Sequence, residues 1–169
     1  MNYNIRYADI NDSKILGYIH AQSWKTAYKT IIPYSILDNI SAQKREKYFH
    51  KVLFEKSEEN VLIFSGNDPV GFITLGECRD EDLDSSWGEI WGIYLLPSHW
   101  NQGIGTELIN WGINVLQSRG YGKVSLWVLE KNINARKFYE KLAFSHDGLK
   151  KRLNFGIPLN EYRYVKVIS

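Results

Sequence analysis

A single cysteine, Cys78, stands among 169 residues, so no internal disulfide can form, and a lone thiol fits a reducing cytosol. No apolar run approaches the roughly 18 residues that a membrane-spanning helix needs, and the opening MNYNIRYADIND lacks the apolar stretch of a secretory leader. Charge of one sign is scarce too. With 21 basic and 19 acidic side chains the net charge is +2, which gives no general reason to expect a nucleic-acid partner. There is no repeat, no low-complexity segment and no linker rich in Pro, Gly or Ser. His20, His50, His99 and His146 show no clustered ligand spacing, so no metal site is expected. What these absences leave is a cytoplasmic chain folding as one domain over residues 1–169, with an ordinary apolar share of 44%.

Hydrophobic periodicity then sets the order of elements. YNIRYA alternates as a strand does, and Asp9 or Asp12 is placed to cap the helix after it, which carries Ile15, Leu16, Ile19, Trp24 and Tyr28 and ends before Pro33. A second helical region runs from about residue 35 to 54. NVLIFSG and PVGFITLGE read as a hairpin turning at ND, and WGEIWGIYLL as a long strand rich in aromatic and β-branched residues. Ile104, Leu108, Trp111 and Val115 keep helical spacing, and that helix stops at Arg119 and Gly120. KVSLWVL is a buried-looking strand, NINARKFYEKL a helix, and two strands close the chain. The order β, α, α, β, β, β, α, β, α, β, β predicts an α/β (α+β) fold: a mixed, largely antiparallel central sheet with helices on both faces.

The stretch LLPSHWNQGIGTELI breaks an apolar strand with a proline and two glycines before a helix. Backbone amides at a helix start suit an anion, and glycines let it come close. A P-loop would need GxxxxGK[ST], which is absent, and a dinucleotide fingerprint would need glycine where Leu108 stands. A plain packing turn accounts for the glycines equally well on the loop alone.

IYLLPSHWNQGIGTELI is similar to the acetyl-CoA-binding motif of the GNAT family of N-acetyltransferases, and LWVLEKNINARKFYEKLAF resembles the family's second signature, N-x-x-A-x-x-x-Y-E-K-x-G-F. Together they lie within residues 89 to 144, in the family's order. The resemblance implies a GNAT-like acyl-CoA N-acyltransferase fold using acetyl-CoA as co-substrate. It implies that Asn101, Gln102, Gly103, Ile104, Gly105 and Thr106 hold the coenzyme pyrophosphate through backbone amides. Ile93, Tyr94 and Leu95 would pair their main chain with the pantetheine arm, with Asn132 beside it and Tyr139 near the sulfur. Two departures stand out: Trp100 where the family usually has Arg or Gln, and Ala143 in place of the glycine before Phe144, expected to matter little.

An alkylamine with a pKa near 10.4 is nucleophilic in only about one molecule in 10³ at pH 7, so acyl transfer gains from a base and from an acid for the departing thiolate. Tyr139 is the acid that the signature implies. Glu89, eleven residues ahead of Trp100, sits at the offset of the general-base glutamate in the family's histone-acetylating branch, and the alternation of strand sides decides whether it faces the cleft. Trp24 and Tyr28 are candidates to flank the acceptor amine by packing or cation–π contact. The run from Glu77 to Asp84 places Glu77, Asp80, Glu81, Asp82 and Asp84 against Arg79; bordering the cleft, it would attract a small cationic amine such as a polyamine. A protein or peptide amine is the alternative acceptor, and a non-catalytic acyl-CoA-binding domain the alternative role. The resemblance also allows a homodimer. In KNINARKFYEKLAF the basic residues alternate with Glu130, Glu140 and apolar positions, which argues against a nucleic-acid platform.

Overall fold

The computed structural model of the protein describes residues 2–169 and lays seven strands into one sheet in the order β1-β2-β3-β4-β5-β7-β6. In chain order these are β1 (Asn4–Tyr7), β2 (Glu59–Ser65), β3 (Asp68–Glu77), β4 (Trp87–Leu95), β5 (Lys123–Leu129), β6 (Ser145–Asn154) and β7 (Pro158–Val167). The helices are α1 (Ser13–Ala27), α2 (Tyr34–Leu37), α3 (Ala42–Glu55), α4 (Ile104–Ser118) and α5 (Ile133–Lys141). All neighbouring strands run antiparallel except β4 and β5. The sheet is therefore mixed and largely antiparallel, as the element order predicts.

Alternation along the central strands splits the core between two faces. Ile63, Ile73 and Ile90 turn to one side and pack with Ile104, Leu108 and Leu116 of α4. Leu62 and Phe72 turn to the other and meet Leu16 and Ile19 of α1 and Phe49 of α3. Helices thus cover both faces. Among the described residues no helix is long and apolar enough to cross a membrane.

The helical region expected over 35–54 divides in two. Ser41 is extended, and its hydroxyl accepts the Lys44 N–H at 3.1 Å, which starts α3 afresh after the short α2. The β2–β3 turn falls on Gly66 and Asn67, one residue ahead of the ND turn read from the sequence.

The feature that positions the site is the parting of β4 from β5. Their pairing lasts only from Trp87↔Lys123 to Glu89↔Ser125, whereas β4 stays paired with β3 to its end at Leu95. A bulge accompanies the parting: Leu75 faces Ile90 and Thr74 faces Gly92, so Trp91 is the extra residue. Beyond Glu89, β4 presents one unpaired edge to a wedge-shaped cleft.

Candidate active site

Immediately after β4, Trp100 folds back so that its indole Nε1 donates to the Leu95 carbonyl at 2.9 Å, and Gln102 donates to the Ser98 carbonyl at 2.9 Å. The loop is pinned by side chains, which leaves its backbone free. Among the described residues, the N–H groups of residues 101 to 106 donate to no protein acceptor. Asn101 (φ 60°) and Gly103 (φ 83°) both lie in the left-handed region, the alternation that curls successive amides into an anion-binding concavity. A Cβ at Gly103 would meet nothing within 4 Å, so its glycine serves the backbone angle and leaves open space in front. Free amides, open space and the positive end of α4 fit a pyrophosphate.

From that loop the unpaired edge of β4 leads inward. Ile93 and Leu95 pack toward the α4 core, while Tyr94 turns to the opposite face, against Phe72 at 5.1 Å and His20 at 4.7 Å. The Tyr94 ring leans back over Gly92, where a Cβ would sit 2.7 Å from it. Apart from the Leu95 carbonyl, which Trp100 takes, the main chain of Ile93, Tyr94 and Leu95 is paired on the β3 side only, which suits a linear arm bearing amide groups in the cleft.

Tyr139 comes from beneath. It is 8% exposed, packed against Phe138, Phe144 and Tyr164, and its hydroxyl makes no hydrogen bond among the described residues. Burial, with Tyr94 nearby, raises its pKa well above that of a free phenol, so it stays protonated. Asn132 caps α5, its Oδ1 accepting the Ala135 N–H at 3.2 Å. Its side chain also favours the ionised form of Tyr28, whose pKa burial drives strongly up. Tyr28, Tyr94 and Tyr139 lie close enough for each charge to be felt by another. The sequence-predicted Tyr28, Tyr94, Asn132 and Tyr139 therefore converge on one cleft. Trp24 stands further out, edge-on to Tyr28 at 4.6 Å and to Phe155 of the β6–β7 turn at 5.5 Å.

Glu89 sits where the strands part, on the α1–α3 side, because its neighbour Ile90 faces α4. It is 1% exposed, and Arg79 holds it: backbone N–H to Oε2 at 2.8 Å, Nε to Oε2 at 3.3 Å and Nη2 to Oε1 at 2.6 Å. These three donors leave one lone-pair site, on Oε1, for an incoming proton.

The acidic segment has other duties. Arg163, 5% exposed, takes Asp82 in a two-pronged contact at 2.8 Å, Asp147 at 2.7 Å and Asp80 at 3.3 Å, and the Trp127 indole also donates to Asp80. Asp84 accepts from Ser86. These carboxylates fasten the β3–β4 connection to β5, β6 and β7.

Sequence reasoning missed Arg45 and Glu161. Arg45 lies in the charge run KREK of α3, yet its Nε is buried without a partner. Glu161 on β7 is held by Lys151 at 3.6 Å, and burial raises its pKa. Neither left a spacing signal.

Comparison with known proteins agrees with this geometry. The profile of the Acetyltransferase (GNAT) family matches residues 22–144. An uncharacterized N-acetyltransferase of Bacillus subtilis is 30% identical over 132 residues, covering 76% of this chain and 72% of that one. A spermidine N(1)-acetyltransferase of Thermoplasma acidophilum is 24% identical over 149 residues, covering 85% and 89%. In fold the chain is similar to the PaiA N-acetyltransferase of Thermoplasma acidophilum, solved in complex with coenzyme A, with a TM-score of 0.80 at 19% identity over 99% of both chains. The match over most of its length, with the parted strands and the free-amide loop inside the matched region, establishes that this chain belongs to the GNAT family of N-acetyltransferases.

Proposed function

We propose that this chain, acting in the cytoplasm as one transferase domain over residues 1–169, moves an acetyl group from acetyl-CoA to a small primary amine. The observation that carries the reading is the free-amide loop of residues 101–106 following the unpaired edge of β4, with a Tyr139 hydroxyl that no described residue engages. Asn101 to Thr106 would hold the pyrophosphate; Ile93, Tyr94, Leu95 and Asn132 would hold the pantetheine arm. The thioester supplies an activated acyl carbon and a leaving thiolate. Overall, a C–N bond forms and a C–S bond breaks; the amine loses one proton and the sulfur gains one.

Tyr139 gives that proton to the sulfur as the C–S bond breaks. A free thiol near pKa 8.5 against a phenol near 10 makes donation to a fully formed thiolate uphill, and burial widens the gap. Transfer in concert with bond cleavage avoids a free tyrosinate. The Leu95 N–H is placed to stabilise charge on the carbonyl oxygen. Glu89 accepts the amine proton through water at the Oε1 site that Arg79 leaves open.

A binding-only role draws on one observation, the engagement of Glu89 by Arg79. The unengaged Tyr139 hydroxyl argues for turnover. Of the acidic segment, Asp80 and Asp82 are committed to Arg163 and add little pull on a polyamine acceptor. The test is mass detection of N-acetylated product from acetyl-CoA across amino acids, polyamines, aminoglycosides and peptides. Acceptor-dependent product establishes transfer; coenzyme binding without product on any amine leaves a sensing domain.

A further inference from the structure

On the α1–α3 side of β4, a recess of about 130 Å³ is lined by Arg45, Tyr48, Thr74, Arg79, Trp91 and Tyr94. Gly92, next to the bulged Trp91 in β4, also borders it, so the recess adjoins the stretch of β4 along the cleft. That volume holds about four waters at roughly 30 Å³ each, or a carboxylate with the carbon that bears it.

The charges around it are unequal in their commitments. Arg79 is paired with Glu89, and Glu58, which also lines the recess, accepts from the Tyr48 hydroxyl. Arg45 is different. Among the described residues no carboxylate lies within 4 Å of its guanidinium, its side chain makes no hydrogen bond, and its Nε is buried without a partner. Leaving such a donor buried and unpaired is unfavourable. The group is nonetheless held in place: the Arg45 plane stands 4.3 Å from the Tyr48 ring and 5.1 Å from that of Phe49, and Arg79 lies 4.3 Å from Trp91. Both guanidinium groups are fixed on aromatic walls of one recess; that of Arg79 is taken by Glu89, and the open fork of Arg45 matches a carboxylate in two-pronged fashion.

We propose that the acceptor is an amine that also bears a carboxylate, an amino-acid-like molecule whose carboxylate enters this recess and is bound by Arg45. The inference rests on the acetyl-transfer reading and narrows its acceptor. Arg45 then sets specificity: its fork anchors the acid end while the amine lies toward the parted edge of β4. Thr74 also lines the recess, but its proton is given to Asn60, so it offers no donor to a carboxylate and leaves that task to Arg45.

The experiment compares L-amino acids with their amides and decarboxylated amines in acetyl-CoA turnover. For the preferred side chain, the free acid is expected to exceed its amide in kcat/KM on the order of 10- to 100-fold, mostly through KM. Arg45→Met brings that ratio toward one, Arg45→Lys gives an intermediate ratio, and Arg152→Met on β6 leaves it unchanged. Thermal unfolding of each variant separates loss of preference from loss of fold. Amides and decarboxylated amines used as well as acids, or a ratio that survives Arg45→Met in folded protein, overturn the inference while acetyl transfer stands. No product from any acceptor overturns both.

Discussion

The indole of Trp100 donates to the carbonyl of Leu95 at 2.9 Å and so ties the start of the amide loop to the last residue of β4. The family's usual Arg or Gln is absent here, and the bond shows what the aromatic residue does instead: it fixes the loop against the strand rather than reaching toward a phosphate. Trp100→Phe keeps an aromatic ring and removes the bond, worth about 1 kcal/mol. Coenzyme A affinity is expected to weaken roughly fivefold, with the fold retained. Titration calorimetry on the variant reads this directly, and unchanged affinity contradicts the tie.

Tyr139→Phe removes a hydroxyl that makes no hydrogen bond among the described residues. Unfolding stability should change by less than about 1 kcal/mol, while kcat falls on the order of 100-fold, the usual scale for a positioned acid. Coenzyme affinity should hold. Stopped-flow thiol release at saturating acetyl-CoA checks it, and a kcat within twofold of wild type removes Tyr139 from the chemistry.

Much of this was legible before any coordinates. The element order and the mixed, largely antiparallel sheet follow from alternation and helical spacing strong enough to survive tertiary context, and the two signatures single out Asn101 to Thr106, Asn132 and Tyr139 as candidates. What was hidden depends on contacts distant in sequence. Arg79 and Glu89 are ten residues apart on different elements, and nothing in RDEDLDSS shows that Asp80 and Asp82 will close on Arg163. Arg45 reads as a solvated helix charge until Tyr48 and Tyr94 are seen around it. The break in the second helical region turned on one serine hydroxyl, a local bond that composition cannot rank.

Ala143 was expected to be a neutral replacement for glycine, and the structure corrects that. Its φ is 64°, beyond the end of α5, where the Phe144 N–H returns to the Tyr139 carbonyl at 3.1 Å. A side chain in that region costs roughly 1–2 kcal/mol relative to glycine. Ala143→Gly is expected to stabilise the protein by about 1 kcal/mol in urea unfolding; a loss of stability refutes the assignment of strain.

His20 gives the molecule a pH dependence. Burial, with the Arg45 charge adding to it, lowers its pKa from 6.5 to about 3. Between those values the unfolded chain binds a proton that the folded chain refuses. The stability from neutral His20 is therefore full above about pH 6.5 and is lost as pH falls toward 3, at up to about 1.4 kcal/mol per unit. His20→Leu should flatten the fall in stability between pH 6.5 and 4.5, above the range where most carboxylates titrate. Chemical unfolding at three pH values decides it, and an unchanged slope places the proton elsewhere.

The most direct measurement is calorimetric titration of coenzyme A into the wild-type protein and into Gly103→Val. Valine keeps the loop sequence otherwise intact but resists the left-handed angle at 103 that aims the amides. Saturable binding of one coenzyme A per chain, weakened at least tenfold in the folded variant, is the expected result. A folded wild-type protein that binds no coenzyme A, or a Gly103→Val protein that binds it equally well, contradicts the assignment of residues 101–106 as the pyrophosphate cradle.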